Sequence, residues 1–248
     1  MEKEKSRNKM KTESVFLACL LTFFLLSLSV FVIATPTGPT GINITSNTTK
    51  QTTNGMMVNI SGGYIAKLNV TASVQNPHWK AFVGWIQGSF TLEDATGSTI
   101  YDWSMTSVGG EIYTTRQSGS VNWGTISCAD DAEVVAEETV LMHDGEDGIN
   151  ETFTASSNAK PFYVGTTSIG AGACYSTQTN VNNQTPVGQE FEEVILHDTS
   201  NIIFASILEE GGSTGYDGID YDFQMIVPEN GSSSWTGATP YYLYVELD

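Results

Sequence analysis

Nothing in this chain constrains its folding more than an uncharged, largely apolar run from Val15 to Ala34 (VFLACLLTFFLLSLSVFVIA), preceded by Lys3, Lys5, Arg7, Lys9 and Lys11. At about 1.5 Å per residue, a helix of that length reaches roughly 30 Å, the thickness of a bilayer's hydrocarbon core. A positive flank before an apolar run is an export pattern whose basic end stays inside. Val32-Ile33-Ala34 puts short residues where a signal peptidase reads, so residues 1–34 are either a cleaved signal peptide or a retained signal anchor. A pilin-like processing site fits less well, because Lys11-Thr12-Glu13 lacks a small residue after the basic stretch. Each route delivers the remainder outside. The expected localisation is extracellular or cell-surface, with membrane contact only through residues 15–34.

Setting that segment aside sharpens the charge balance. Of ten basic and 28 acidic residues in the whole chain, the exported part keeps Lys50, Lys67, Lys80, Arg116 and Lys160 against 25 acids. Such a field repels phosphate, which argues against nucleic acid as a partner, and it attracts divalent cations or keeps the protein soluble.

Cysteine usage agrees with export. Cys19 lies within the apolar run, which leaves Cys128 and Cys174 as an even pair in an oxidising setting, expected to form a disulfide. Asn-x-Ser/Thr sequons occur at Asn43, Asn47, Asn59, Asn69, Asn150, Asn183 and Asn230, all after the export signal, and mark the chain as a candidate glycoprotein.

Residues 35–55 are polar and rich in Pro, Gly, Asn and Thr, and read as a spacer. From Met56 to the C-terminus strand signals dominate. Residues 64–71 are β-branched and partly alternating. Trp79, Ala81, Val83 and Trp85 recur at every second position, which places them on one strand face. Residues 89–105 read as a hairpin around Asp94-Ala95-Thr96-Gly97, and residues 193–208 as a second around Asp198-Thr199-Ser200-Asn201. Further strands are expected at 111–115, 120–127, 152–157, 161–168, 221–227 and 240–247. The helix candidate is Ala129–Met142, with Asp130 or Asp131 as cap. The fold class is therefore all-β: an antiparallel β-sandwich over residues 56–248 with one short helix, preceded by the N-terminal hydrophobic helix.

Three blocks carry a resemblance: NISGGYIAKLNVTASVQNPHWKAFVGWIQGSFTLEDATGSTIYDW, EEVILHDTSNIIFASILE, and TGYDGIDYDFQMIVPENG followed by YYLYVELD. Together they resemble a group of archaeal secreted or cell-surface proteins of uncharacterised activity. The resemblance implies a cell-surface setting, in surface layers or filaments, and brings no catalytic or binding residue with it.

A search for chemistry returns little. The sequence holds no GxSxG, HExxH, P-loop or GxGxxG, and His78, His143 and His197 stand isolated in it. Asp198-Thr199-Ser200 is similar to the aspartic-peptidase triplet but lacks its glycine and a second copy. Calcium is the better chemical candidate, because glycines let carboxylates and carbonyls converge on a hard cation. Asp217, Asp220 and Asp222 form the first such loop; Asp144, Glu146 and Asp147 form the second. Tryptophans could offer a sugar platform, with Trp235 after a serine run the most exposed and the others in the core. The leading expectation is a non-enzymatic structural or adhesive surface protein, self-associating in a filament or lattice or binding other surface proteins or glycans. A calcium-dependent carbohydrate-binding module is the alternative, and an exported β-sandwich hydrolase the third.

Overall fold

The computed structural model describes residues 35–247, apart from 106, 120, 180, 183, 184, 187, 188 and 233. The apolar run at 15–34 and the sequon at Asn183 lie outside the described residues. Among those described, no helix is long and apolar enough to cross a membrane.

The chain is mostly β, and its sheets are antiparallel. In chain order the strands are β1 (Trp79–Gly84), β2 (Ser89–Glu93), β3 (Thr99–Ser104), β4 (Gly110–Thr115), β5 (Ser127–Cys128), β6 (Phe162–Val164), β7 (Thr167–Ile169) and β8 (Ser176–Gln178). They continue with β9 (Val181–Asn182), β10 (Thr185–Pro186), β11 (Glu192–His197), β12 (Ile202–Ile207), β13 (Ser213–Thr214), β14 (Asp220–Tyr221), β15 (Phe223–Pro228) and β16 (Tyr242–Leu247). Two helices, α1 (Asp131–Leu141) and α2 (Ile149–Thr152), lie between β5 and β6.

A six-stranded sheet in the order β16-β4-β12-β11-β5, with β8 also on β11, organises the core. Strands covered on both faces read as continuous apolar runs rather than as alternation, and β12 (IIFASI) is buried at every position. On one face Ile112, Ile195, Ile202 and Phe204 pack with Phe223, Met225 and Val227 from β15 and with Val134 and Ile149 from the helices. On the other, Tyr113, Val194, Leu196, Ile203 and Ala205 pack with Phe162, Val164 and Ile169 from the β6–β7 hairpin. Cys128 and Cys174 are disulfide-bonded with Cα atoms 4.9 Å apart, which ties β5 to the segment entering β8.

Helix α1 begins where its sequence asks. Asp130 accepts from the Glu133 amide at 3.0 Å while the Glu133 carboxylate accepts from the Asp130 amide at 2.8 Å, a reciprocal capping box. The helix stops at Met142, in the left-handed region at φ 51°.

Several sequence expectations are corrected. Residues 64–71 join no strand; the first strand starts at Trp79. The 120–127 stretch turns through a short 3-10 helix, Trp123–Thr125, before β5. The 152–157 stretch is the end of α2 followed by a bridge from Thr154 to Ser176. In β1 it is Phe82 that packs on the core, with Trp79 at the strand's start, while Ala81 is exposed and Trp85 is 55% exposed against Tyr221. The expected face is kept at Trp79 and lost at Ala81 and Trp85, because β1 meets the core through its pairing with β15, a register that local alternation does not encode.

Candidate functional site

The loop after α1 brings His143 and Asp147, four residues apart, against His78, which is remote in sequence. The αL turn at Met142 aims His143 inward, with its amide bonded to the Glu138 carbonyl at 2.9 Å. The approaching 230s loop fixes this turn, since the Gly231 amide donates to the Leu141 carbonyl at 2.9 Å. A Cβ on Gly231 would lie 2.3 Å from the Met142 carbonyl oxygen, so only glycine admits this approach. The buried Glu138 carboxylate then accepts from the Asn150 amide at 2.9 Å and anchors the far end of the loop.

Within this frame His78, at the entry to β1, places its Nδ1 3.0 Å from Asp147 Oδ2, and His143 Nε2 lies 3.8 Å from Asp147 Oδ1. One ligand atom from each of the three lies within 4.8 Å of the other two; among the described residues this is the one such grouping of His, Cys, Asp or Glu. Asn76 Nδ2 donates to Asp147 Oδ2 at 2.7 Å, and Trp79 Nε1 donates to the Asp147 carbonyl at 2.7 Å. The ring of His143 stands edge-on to those of His78 and Trp79, each with centroids 5.1 Å away.

The imidazole of His143 is fully enclosed, and neither ring nitrogen meets a hydrogen-bond partner. Burial pushes its pKa below the ordinary histidine value, against the pull of Asp147, so its neutral form is favoured. Burial raises the Asp147 carboxyl, but hydrogen bonds from Asn76 and His78 outweigh it and hold the group below the usual range. The result is a carboxylate beside two imidazoles, nitrogen and oxygen donors of the kind that hold divalent transition metals.

The other candidate residues are placed differently. Asp217, Asp220 and Asp222 each turn to a separate local partner: Asp217 accepts from the Ile219 amide and the Tyr221 hydroxyl, Asp220 from the Thr214 hydroxyl, and Asp222 from the Ile86 amide. Asp144 and Glu146 are exposed, and of that loop only Asp147 joins the histidines. His197 pairs its Nδ1 with Glu133 of α1 at 2.5 Å. Asp198 closes a turn, accepting from the Ser200 and Asn201 amides and, from across the fold, the Asn122 amide. Asn43, Asn47, Asn59, Asn69 and Asn150 are exposed, and Asn230 is half-buried. Trp235 is exposed as expected, but less so than Trp85 and Trp103.

Two buried features had no sequence signal, because each depends on cross-strand register. Glu111 and Glu246 face each other across β4 and β16, and the Tyr113 hydroxyl donates to Glu246 at 2.9 Å. Glu111 also borders a surface recess of about 590 Å³ with Lys160, Phe162, Tyr163 and Glu210. Glu193 is buried on the opposite face of the sheet, where its Oε2 accepts from the Ile226 amide.

The chain matches no protein-family model, no curated protein and no solved structure.

Proposed function

We propose that this is an exported, non-enzymatic structural protein of the cell surface, a β-sandwich subunit whose N-terminal arm joins it to further copies in a filament or lattice. One observation carries the reading. Residues 38–75 run outside every strand, yet they hold large apolar side chains in the open, with Met56, Met57 and Ile65 more than 90% exposed. So many large apolar side chains left in solvent along one segment mark a place where another molecule sits.

The proposed occupant is a sheet edge of a second copy. β16 is an edge strand of the six-stranded sheet, and Thr37 already exchanges backbone hydrogen bonds with Val245 on it, at 3.0 and 2.8 Å. Beyond that bridge, residues 42–60 (INITSNTTKQTTNGMMVNI) are rich in β-branched side chains and join no strand of their own chain. At about 3.3 Å per residue they reach roughly 60 Å, enough to lie along the edge of another copy. Unpaired N–H and C=O groups on an edge accept such a strand, and a head-to-tail contact that does not close a ring propagates. The exposed Phe90, Leu92, Tyr101 and Trp103 of the β2–β3 hairpin extend the apolar surface available for contact. The acidic exported part and the sequons at Asn43, Asn47, Asn59 and Asn69 suit a hydrated, glycosylated exterior.

The test is deletion of residues 42–60 with the export segment intact, followed by sedimentation and electron microscopy of the secreted protein. The full chain is expected to assemble and the deletion to remain monomeric. Identical assemblies from both would overturn the reading.

A further inference from the structure

We propose that His78, His143 and Asp147 form a binding site for one divalent transition-metal ion, of the zinc, cobalt, nickel or copper class, that clamps the entry of β1 to the loop between α1 and α2.

Geometry is the first support. An ion about 2.0–2.1 Å from each of three tetrahedrally arranged donors separates those donors by roughly 3.4 Å. With one donor atom taken from each residue, all three lie within 4.8 Å of one another; the nearest approaches, 3.0 Å for His78 Nδ1 and 3.8 Å for His143 Nε2, reach different oxygens of the Asp147 carboxylate. Side-chain rotations that draw the wider separations in towards roughly 3.4 Å seat an ion.

His143 supplies the second support, independent of the first. A polar ring enclosed without a hydrogen-bond partner leaves its desolvation cost uncompensated, and folded proteins rarely leave one so. Here the nitrogen that faces Asp147 stops 3.8 Å from its carboxylate oxygen, too far for a hydrogen bond. An ion fills that need.

The surroundings are those of a held ligand set. Asn76 and Trp79 pin the Asp147 carboxylate and its own carbonyl, an outer shell that orients the carboxylate before any ion arrives. His78 and Asp147 are each about one-third exposed while His143 is enclosed, so an ion enters from the solvent side and keeps water on its open coordination position. On binding, His78 Nδ1 gives up its hydrogen bond to Asp147, and the ring carries its proton on Nε2. Two imidazoles and one carboxylate select a transition metal over calcium, which takes six to eight oxygens. The site holds together segments 69 residues apart, so its effect is on folding stability, and it stands whether or not the arm assembles.

The experiment uses the full-length protein, stripped with chelator and titrated with Co(II), which reports its coordination through visible absorption, and with Zn(II) in competition. One ion per chain, a cobalt spectrum of low-coordinate nitrogen–oxygen type abolished by zinc, and a rise of several degrees in Tm at saturating zinc are expected. His78→Gln and Asp147→Asn change half-exposed groups, so both variants should fold with unchanged far-UV circular dichroism. Each should weaken Co(II) binding by more than the roughly 10–100-fold that loss of an outer-shell partner costs, and Asn76→Ala by about that amount. Absence of stoichiometric cobalt or zinc binding overturns the proposal. So does binding that H78Q and D147N leave unchanged, which would put the ion on the exposed acidic loops.

Discussion

Glu193 makes stability depend on pH in a direction opposite to that of most carboxylates. It is fully buried on β11; its Oε2 accepts from the Ile226 amide at 2.9 Å, and its Oε1 meets no hydrogen-bond partner. Burial pushes this carboxyl well above its ordinary value, and the Ile226 hydrogen bond opposes the shift only in part. The folded protein therefore holds a proton that the unfolded chain releases above about pH 4.5. Where the native state binds more protons, stability falls as pH rises, here by up to about 1.4 kcal/mol per pH unit, until the folded group itself titrates. Glu193→Gln keeps an acceptor for Ile226 and removes the ionisation. As pH rises above the unfolded value, the stability of the variant relative to the parent is expected to climb steadily, until the folded group itself titrates. Urea unfolding of both full-length proteins from about pH 5 to 8, with equal m-values, measures the difference directly. Stability curves that run parallel across that range would refute the reasoning, since all other groups are common to the two proteins.

Three further outcomes follow from the same structure. Replacing Cys174 by Ser opens a loop of sequence separation 46 and should cost roughly 4 kcal/mol on the chain-entropy account, read as a lower urea midpoint without reductant. Glu229 is half-buried, which raises its carboxyl, but Lys80 at 2.5 Å, Thr239 and two backbone amides outweigh burial and hold it at about 2. Its contribution is thus complete above its unfolded value and lost as pH falls from about 4.5 towards 2; Glu229→Gln should lose about 3 kcal/mol at neutral pH and show less acid sensitivity in thermal melts. Asp130→Ala removes the α1 cap and should lower stability by about 1 kcal/mol, with Asp130→Asn recovering most of it.

Local chemistry made some elements legible in the sequence, and long-range register hid others. The β2–β3 hairpin is readable because Asp94 accepts from the Thr96 and Ser98 amides and Gly97 takes φ 82°, all within one turn. The β11–β12 hairpin, the α1 cap and the Cys128–Cys174 pair are equally local or forced by counting. Residues 64–71 have strand composition without a strand, because composition creates a capacity for pairing and only a partner edge fulfils it. His78 and His143 gave no spacing signal, because a β1–β15 pairing and an αL turn at Met142 bring them together. Asp217, Asp220 and Asp222 show the converse, since they are neighbours in sequence but each carboxylate accepts from a different partner.

The most direct test of the account is electron microscopy of the full-length protein purified from the cells that make it, across a concentration series. The account predicts regular filaments or sheets with one subunit per repeat, lost when residues 42–60 are removed. Single, unassociated particles at every concentration, with the arm intact, would contradict it.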